Sequence, residues 1–203
     1  MLYLAENVHF AEVEDCGVLL DMRQDAYHFL DPRNCAAFVQ ALRAEATEND
    51  VSAACLAQRL LSRTRPQPQP QSHPAPARRA SVFSALTTMR QTTRCHRKDG
   101  ILACWAQSNR APATKLRATG GIDHAVNAFL RAENLFDFGR STDDCLLRSL
   151  SLQRYLRQAG YDSRHVIGVK IYPFNAHAWV EYADQPLLND AEDIAPYTRI
   201  LVG

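Results

Sequence analysis

Arg65-Pro66-Gln67-Pro68-Gln69-Pro70-Gln71-Ser72-His73-Pro74-Ala75-Pro76 is the stretch that most limits what this chain can fold into. Alternating proline removes backbone donors and fixes φ, so neither a helix nor an inner strand can run through it. The segment is expected to lie as extended polyproline II, a semi-rigid tether. An SH3- or WW-type ligand is the other use of such a run, and a linker is the plainer one. The chain is therefore expected to fold as a body over 1–63, a linker over 64–80 and a second body over 81–203. With 46% hydrophobic residues in 203, there is material for a core on each side.

Charge changes across the same boundary. Residues 1–63 carry 5 Lys/Arg against 10 Asp/Glu, residues 64–120 carry 10 against 1, and residues 121–203 carry 8 against 11. The acidic first body argues against a phosphate-binding module, and the overall charge of +1 argues for neither nucleic acid nor an anionic membrane as partner. Arg78, Arg79, Arg90, Arg94, Arg97 and Lys98 read as a solvated basic face in preference to a groove for an acidic partner. No apolar run is long enough to span a bilayer, and Met1 to Glu6 has no signal-peptide character. The six cysteines form no C-x-x-C pair and no metal-ligand spacing, so free thiols, a cytoplasmic setting and no metal or other cofactor are expected.

In the first body, Val8–Val13, Val18–Asp21 and Ala26–Leu30 alternate as strands around the turns Glu14-Asp15-Cys16-Gly17 and Arg23-Gln24-Asp25. Two helices follow, near 34–45 and 52–62, to cover one face of that meander. His9 and His28 lack a spaced partner and read as ordinary strand residues, and Cys16, Cys35 and Cys55 as small buried ones. Past the linker, helices are expected over 81–91, 100–107 and 124–133. A further helix begins near Cys145 and stops at Gly160. Strands follow over 165–171, 176–182 and 186–190. Both bodies are thus α+β.

Thr142-Asp143-Asp144-Cys145 sets a cysteine in the first turn of an amphipathic helix, where free N–H groups and the helix dipole favour a thiolate. His177 follows 32 residues later on a strand, and Asp190 a further 13 at the end of the next, opposite His177 if the two strands form a hairpin. Nucleophile, base and orienting acid are what acyl transfer to a thiol needs. A single Cys and a single His also occur together in many proteins without chemistry. His124 and His165 compete as base, and Glu181, Asp184 and Asp193 compete as acid. Glu181 is the strongest rival because it shares the His177 face of its strand.

Cys145-Leu-Leu-Arg-Ser-Leu, Ala-Gly160-Tyr, His177-Ala-Trp-Val-Glu181 and Leu187-Leu-Asn-Asp190 resemble the transglutaminase-like cysteine protease of lasso-peptide biosynthesis, the B protein. The first body is similar to the small precursor-recognition domain, of the PQQ-biosynthesis chaperone (PqqD-like, winged-helix-like) type, fused ahead of the protease in some members. The resemblance implies a transglutaminase-like, papain-like fold and removal of the leader from a ribosomally made lasso precursor. Cys145, His177 and Asp190 would form the triad. The leader would add as a strand beside Ala26, Tyr27, His28, Phe29 and Leu30. An asparagine-synthetase-like cyclase would be the partner that closes the macrolactam. The alternatives are an acyltransferase using the same triad with an amine as acceptor, and a non-catalytic peptide- or nucleic-acid-binding protein.

Overall fold

The computed structural model describes residues 1–43, 49–66, 77–109, 120–135 and 144–203. The chain clusters into two units, one of 1–70 with 168–176 and 197–200, the other of 71–167 with 177–196 and 201–203. Residues 67–76, and with them most of the expected tether, lie outside the described residues.

In the first unit, β1 (Tyr3–Leu4) precedes an antiparallel meander of β2 (Val8–Val13), β3 (Cys16–Asp21) and β4 (Ala26–Leu30). Glu14 and Asp15 both take left-handed φ, 48° and 66°, which is what a two-residue hairpin loop requires. The helix α1 (Pro32–Leu42) starts with proline in its first turn, and the Asp31 carboxylate accepts the Asn34 N–H at 2.8 Å. A capping box between Asn49 and Ser52 opens α2 (Asp50–Ala57). That helix ends earlier than its apolar pattern suggests. Arg59 turns left-handed (φ 59°) and sends the chain into β5 (Leu61–Ser62), which pairs with β1. Two-residue strands carry no alternation, so neither β1 nor β5 was visible in the sequence. Val8, Leu19, Phe38, Cys55 and Leu60 form the core beneath the meander.

The second unit begins with α3 (Val82–Ser108), capped by Ser81 and Ser84. Gly100 (φ 78°, ψ −179°) is not helical and divides this span into two helices, which answer to those expected over 81–91 and 100–107, the first running on to Asp99. Arg90, Arg94, Arg97 and Lys98 lie exposed on it, as a solvated basic face should. The helices α4 (Ile122–Glu133) and α5 (Asp144–Gln158) follow. Met89 of α3, Phe129 of α4 and Tyr155 and Leu156 of α5 share one core, and Cys95, Cys104 and Leu150 make a second.

The C-terminal part supplies β6 (Ser163–Lys170), β7 (Asn175–Tyr182), β8 (Gln185–Leu187), the single turn α6 (Ala191–Ile194) and β9 (Thr198–Val202). They form a four-stranded sheet in the order β8-β7-β6-β9. The last strand was not anticipated. Among the described residues no helix is long and apolar enough to cross a membrane.

At Gly100 the space around an added methyl is open, so only the backbone resists a side chain. Gly100→Ala is expected to lower stability by about 1–3 kcal/mol, the cost of an alanine in a region reserved for glycine, as read by urea melts of the full chain.

Candidate active site

Cys145 lies in the first turn of α5 and is half-buried, whereas the other five cysteines are buried. The helix exists because Leu147, Leu150, Tyr155 and Leu156 fall at helical spacing and are buried, and because Gly160 (φ 91°) stops it. Tyr161 N–H then closes back on Leu156 O at 3.0 Å. The cysteine is thus carried on a rigid element with its first-turn N–H groups nearby. Residues 136–143, which include Thr142 and Asp143 of the stretch before Cys145, lie outside the described residues.

His177 enters from β7 and lines a cavity of about 200 Å³ together with Cys145, Arg148, Trp179, Leu188 and Asn189. Alternation along β7 puts His177, Trp179 and Glu181 on one face. The Trp179 indole N–H donates to Glu181 Oε1 at 2.9 Å, and the Trp179 ring lies nearly parallel to the imidazole, 20° apart with centroids at 6.1 Å. Four strand residues span roughly 13 Å, so Glu181 sits too far along β7 to be the group that orients His177. It holds the tryptophan instead.

The register of β7 and β8 pairs Val180 with Leu187, Glu181 with Pro186 and Tyr182 with Gln185. Continued in step, it would bring Asp190 opposite His177, as the sequence suggested. The ladder stops at Leu187, and Leu188 takes a left-handed φ of 61°. Beyond that break it is the Asn189 amide that reaches the imidazole, with Nδ2 3.0 Å from Nε2. Asp190 is exposed and serves as the N-cap residue of α6, where its carboxylate makes no capping bond.

Burial is the main cause holding the His177 pKa below the ordinary histidine value; the Arg148 guanidinium acts in the same direction and the Asp193 carboxylate opposes them. Arg148 is itself paired with Glu133, through Nε at 2.5 Å and a second nitrogen at 3.0 Å. Of the rival bases, His124 is exposed on α4. His165 is fully buried with Nε2 2.9 Å from Ser149 Oγ, a residue of the cavity wall, and burial pushes its pKa down to about 3. Among the described residues no three His, Cys, Asp or Glu side chains come together to hold a metal.

The first unit has a groove of its own, about 470 Å³, between β4 and α2. His28, Phe29 and Leu30 line it on one side and Val51, Ala54 and Gln58 on the other. Tyr27 instead meets the Phe174 ring edge-on at 5.3 Å, and Ala26 pairs with Asp21 at the end of the strand. Since β4 is the last strand of the meander, one of its edges carries no ladder among the described residues.

Residues 85–202 match the family model described as the transglutaminase-like superfamily. The chain belongs to that superfamily. Its matched span carries Cys145, His177, Asn189 and Asp190, and excludes the meander and its groove. The chain is also similar to the microcin J25-processing protein McjB of Escherichia coli, 38% identical over 60 residues. That stretch is 30% of this chain and 28% of the relative, so the likeness covers less than a third of either. No solved structure matches the chain. In this transglutaminase-like unit, Arg148, Trp179 and Asn189 are site residues to which sequence reasoning gave no firm part. The only signal for Asn189 was its place beside Asp190.

Neutral His165 ties part of the stability of the fold to pH. Its pKa is lower folded than unfolded, so this contribution is complete above about pH 6.5 and is lost as pH falls toward 3, at up to about 1.4 kcal/mol per pH unit. Urea melts between pH 7 and pH 4 are expected to show the slope, and His165→Gln to flatten it.

Proposed function

We propose that this protein is a cysteine peptidase that binds the leader of a ribosomally made lasso precursor and cuts it away before a partner cyclase, asparagine-synthetase-like, closes the macrolactam. The observation that carries the reading is Cys145, at the start of α5, sharing a cavity with His177. The superfamily match supports acyl chemistry at that sulfur, and the likeness to a processing protein supports a peptide precursor as substrate.

In the first step the Cys145 S–H bond breaks and its proton passes to the imidazole. The sulfur bonds to the scissile carbonyl carbon, and the π electrons move to oxygen. N–H groups of the first turn of α5, Cys145 N–H foremost, are suited to hold that oxyanion. Collapse breaks the C–N bond, and the imidazolium gives its proton to the leaving amine. Water, deprotonated by the same imidazole, then releases the acid and restores the thiol.

The groove of the first unit suits an extended peptide. The open edge of β4 offers backbone hydrogen bonds, and the cleft against α2 offers apolar surface from Leu30 and Val51 with polar groups from His28, Asn34 and Gln58 at its sides. Leader recognition in 1–63 and chemistry in 81–203 are then separable tasks.

Cys145→Ala and His177→Ala are expected to abolish precursor cleavage, at least 1,000-fold, while leader affinity stays within about twofold. Ala54→Arg, at an exposed position of the groove, is expected to weaken leader binding more than about tenfold without slowing the alkylation of Cys145. Intact-mass analysis of the products separates hydrolysis, which leaves free leader and core, from transfer to an amine, which leaves a joined product. Full cleavage by either alanine variant of the cavity would refute the reading.

A further inference from the structure

We infer that Ser149 is a positioning residue for Cys145, the middle of a buried chain of hydrogen bonds that runs from His165 of β6 to the Leu146 carbonyl in the first turn of α5. The inference rests on the reading of Cys145 as nucleophile and concerns what holds that sulfur in place.

Three observations converge on it. Ser149 Oγ is 2.9 Å from His165 Nε2 and 3.0 Å from Leu146 O. Ser149 is 5% exposed and His165 fully buried, yet Ser149 lines the cavity that Cys145 borders. His165 is itself fixed by the backbone, since its N–H donates to Gly203 O at 2.6 Å and its carbonyl accepts the Gly203 N–H at 2.9 Å. One turn further along α5, on the Ser149 face, Gln153 donates to that same Gly203 carbonyl at 2.8 Å.

The direction of each bond follows from what the groups can do. A carbonyl only accepts, so the Ser149 hydroxyl proton points to Leu146 O, and the imidazole donates to Oγ through Nε2–H. Nδ1 is then the bare nitrogen, and it has no partner among the described residues. Burial pushes the His165 pKa down to about 3, so the ring stays neutral in this form. The pair is therefore not a second nucleophile with its base. The imidazole offers a proton to the oxygen instead of drawing one off, and the hydroxyl is engaged with a carbonyl. Its effect is to join helix to sheet. Arg148 ties the same part of α5 to Glu133 of α4, through side chains that keep 35% and 22% of their surface exposed. The Ser149 link has no solvent to compete with and is the stiffer of the two. It fixes the carbonyl of the residue next to Cys145, and with it the turn that carries the sulfur and its free N–H groups.

The test uses the full chain and iodoacetamide, with alkylation of Cys145 followed by mass spectrometry at pH 6 and pH 9. Wild-type Cys145 is expected to react at pH 6 at least about tenfold faster than a cysteine in a short peptide. Ser149→Ala is expected to lose about fivefold at pH 6 and little at pH 9, where the thiol ionises unaided and its placement matters less. Ser149→Thr keeps the hydroxyl and should stay within about twofold of wild type. His165→Gln sets an N–H close to the place of Nε2 and should also keep the rate, whereas His165→Asn is one bond too short and should lose as much as Ser149→Ala. Both remove the imidazole, so their difference reads the hydrogen bond, and it does so even where Ser149→Ala fails to fold. Nitrogen-15 NMR of the wild-type chain should find the His165 proton on Nε2. The assignment of Ser149 is overturned, while the peptidase reading stands, if Ser149→Ala keeps the wild-type profile or loses equally at both pH values. The same holds if His165→Gln and His165→Asn behave alike, or if the proton is on Nδ1. If wild-type Cys145 reacts no faster than the peptide cysteine, the peptidase reading fails and this inference falls with it.

Discussion

Leu150, Leu152, Tyr155 and Leu156 keep the middle turns of α5 out of water, and Ser151 and Gln153 between them are buried as well. Gln153 donates to Asn109 Oδ1 at 2.7 Å and to the Gly203 carbonyl at 2.8 Å, while the Gln158 carbonyl oxygen accepts from the Thr88 hydroxyl at 3.3 Å. A helix buried on nearly all sides has little freedom to shift. Each large apolar side chain contributes about 1.5–3 kcal/mol, and each buried amide left unbonded would cost about 1–3 kcal/mol. That rigidity is what gives Cys145, at the N-terminal end of α5 and lining a cavity, a fixed address. A nucleophile misplaced by an ångström loses much of its rate.

The second constraint is the break at Leu188. A left-handed leucine costs about 1–3 kcal/mol and persists only where the surroundings impose it. Leu188 packs against the helical core of the second unit and lines the cavity, so burial of its side chain is what the local backbone serves. The result is a change of side-chain partner at the imidazole, an amide where the strand pattern alone would have brought a carboxylate. The electrostatic balance changes with it. The His177 pKa is set by burial and by the opposed pull of Arg148 and Asp193, all from elements distant in sequence.

Much of the fold was legible because its elements are amphipathic and well punctuated. The meander declared itself through alternation and the polar turns between its strands, α5 through its leucine spacing and Gly160, and β7 through alternation. The parts that were not legible share a reason. The pair β1 and β5 is too short to show a period. The polar middle of α3, from Thr92 to Asp99, hides its helical stripe among arginines. At the end of the chain, β9 was not anticipated because pairing with β6 is a long-range event that leaves no local mark.

Residue chemistry and spacing determined by themselves that Cys145 begins a helix and that His177 lies on a strand, because helical and strand periods are local properties of the chain. They also marked Glu181 and Asp190 as acids within reach in sequence. Which group meets the imidazole was decided only in three dimensions. A single left-handed residue moves every later side chain to a new side of the backbone, and neither the period of β7 nor the composition of Leu187-Leu188-Asn189-Asp190 records that it will happen.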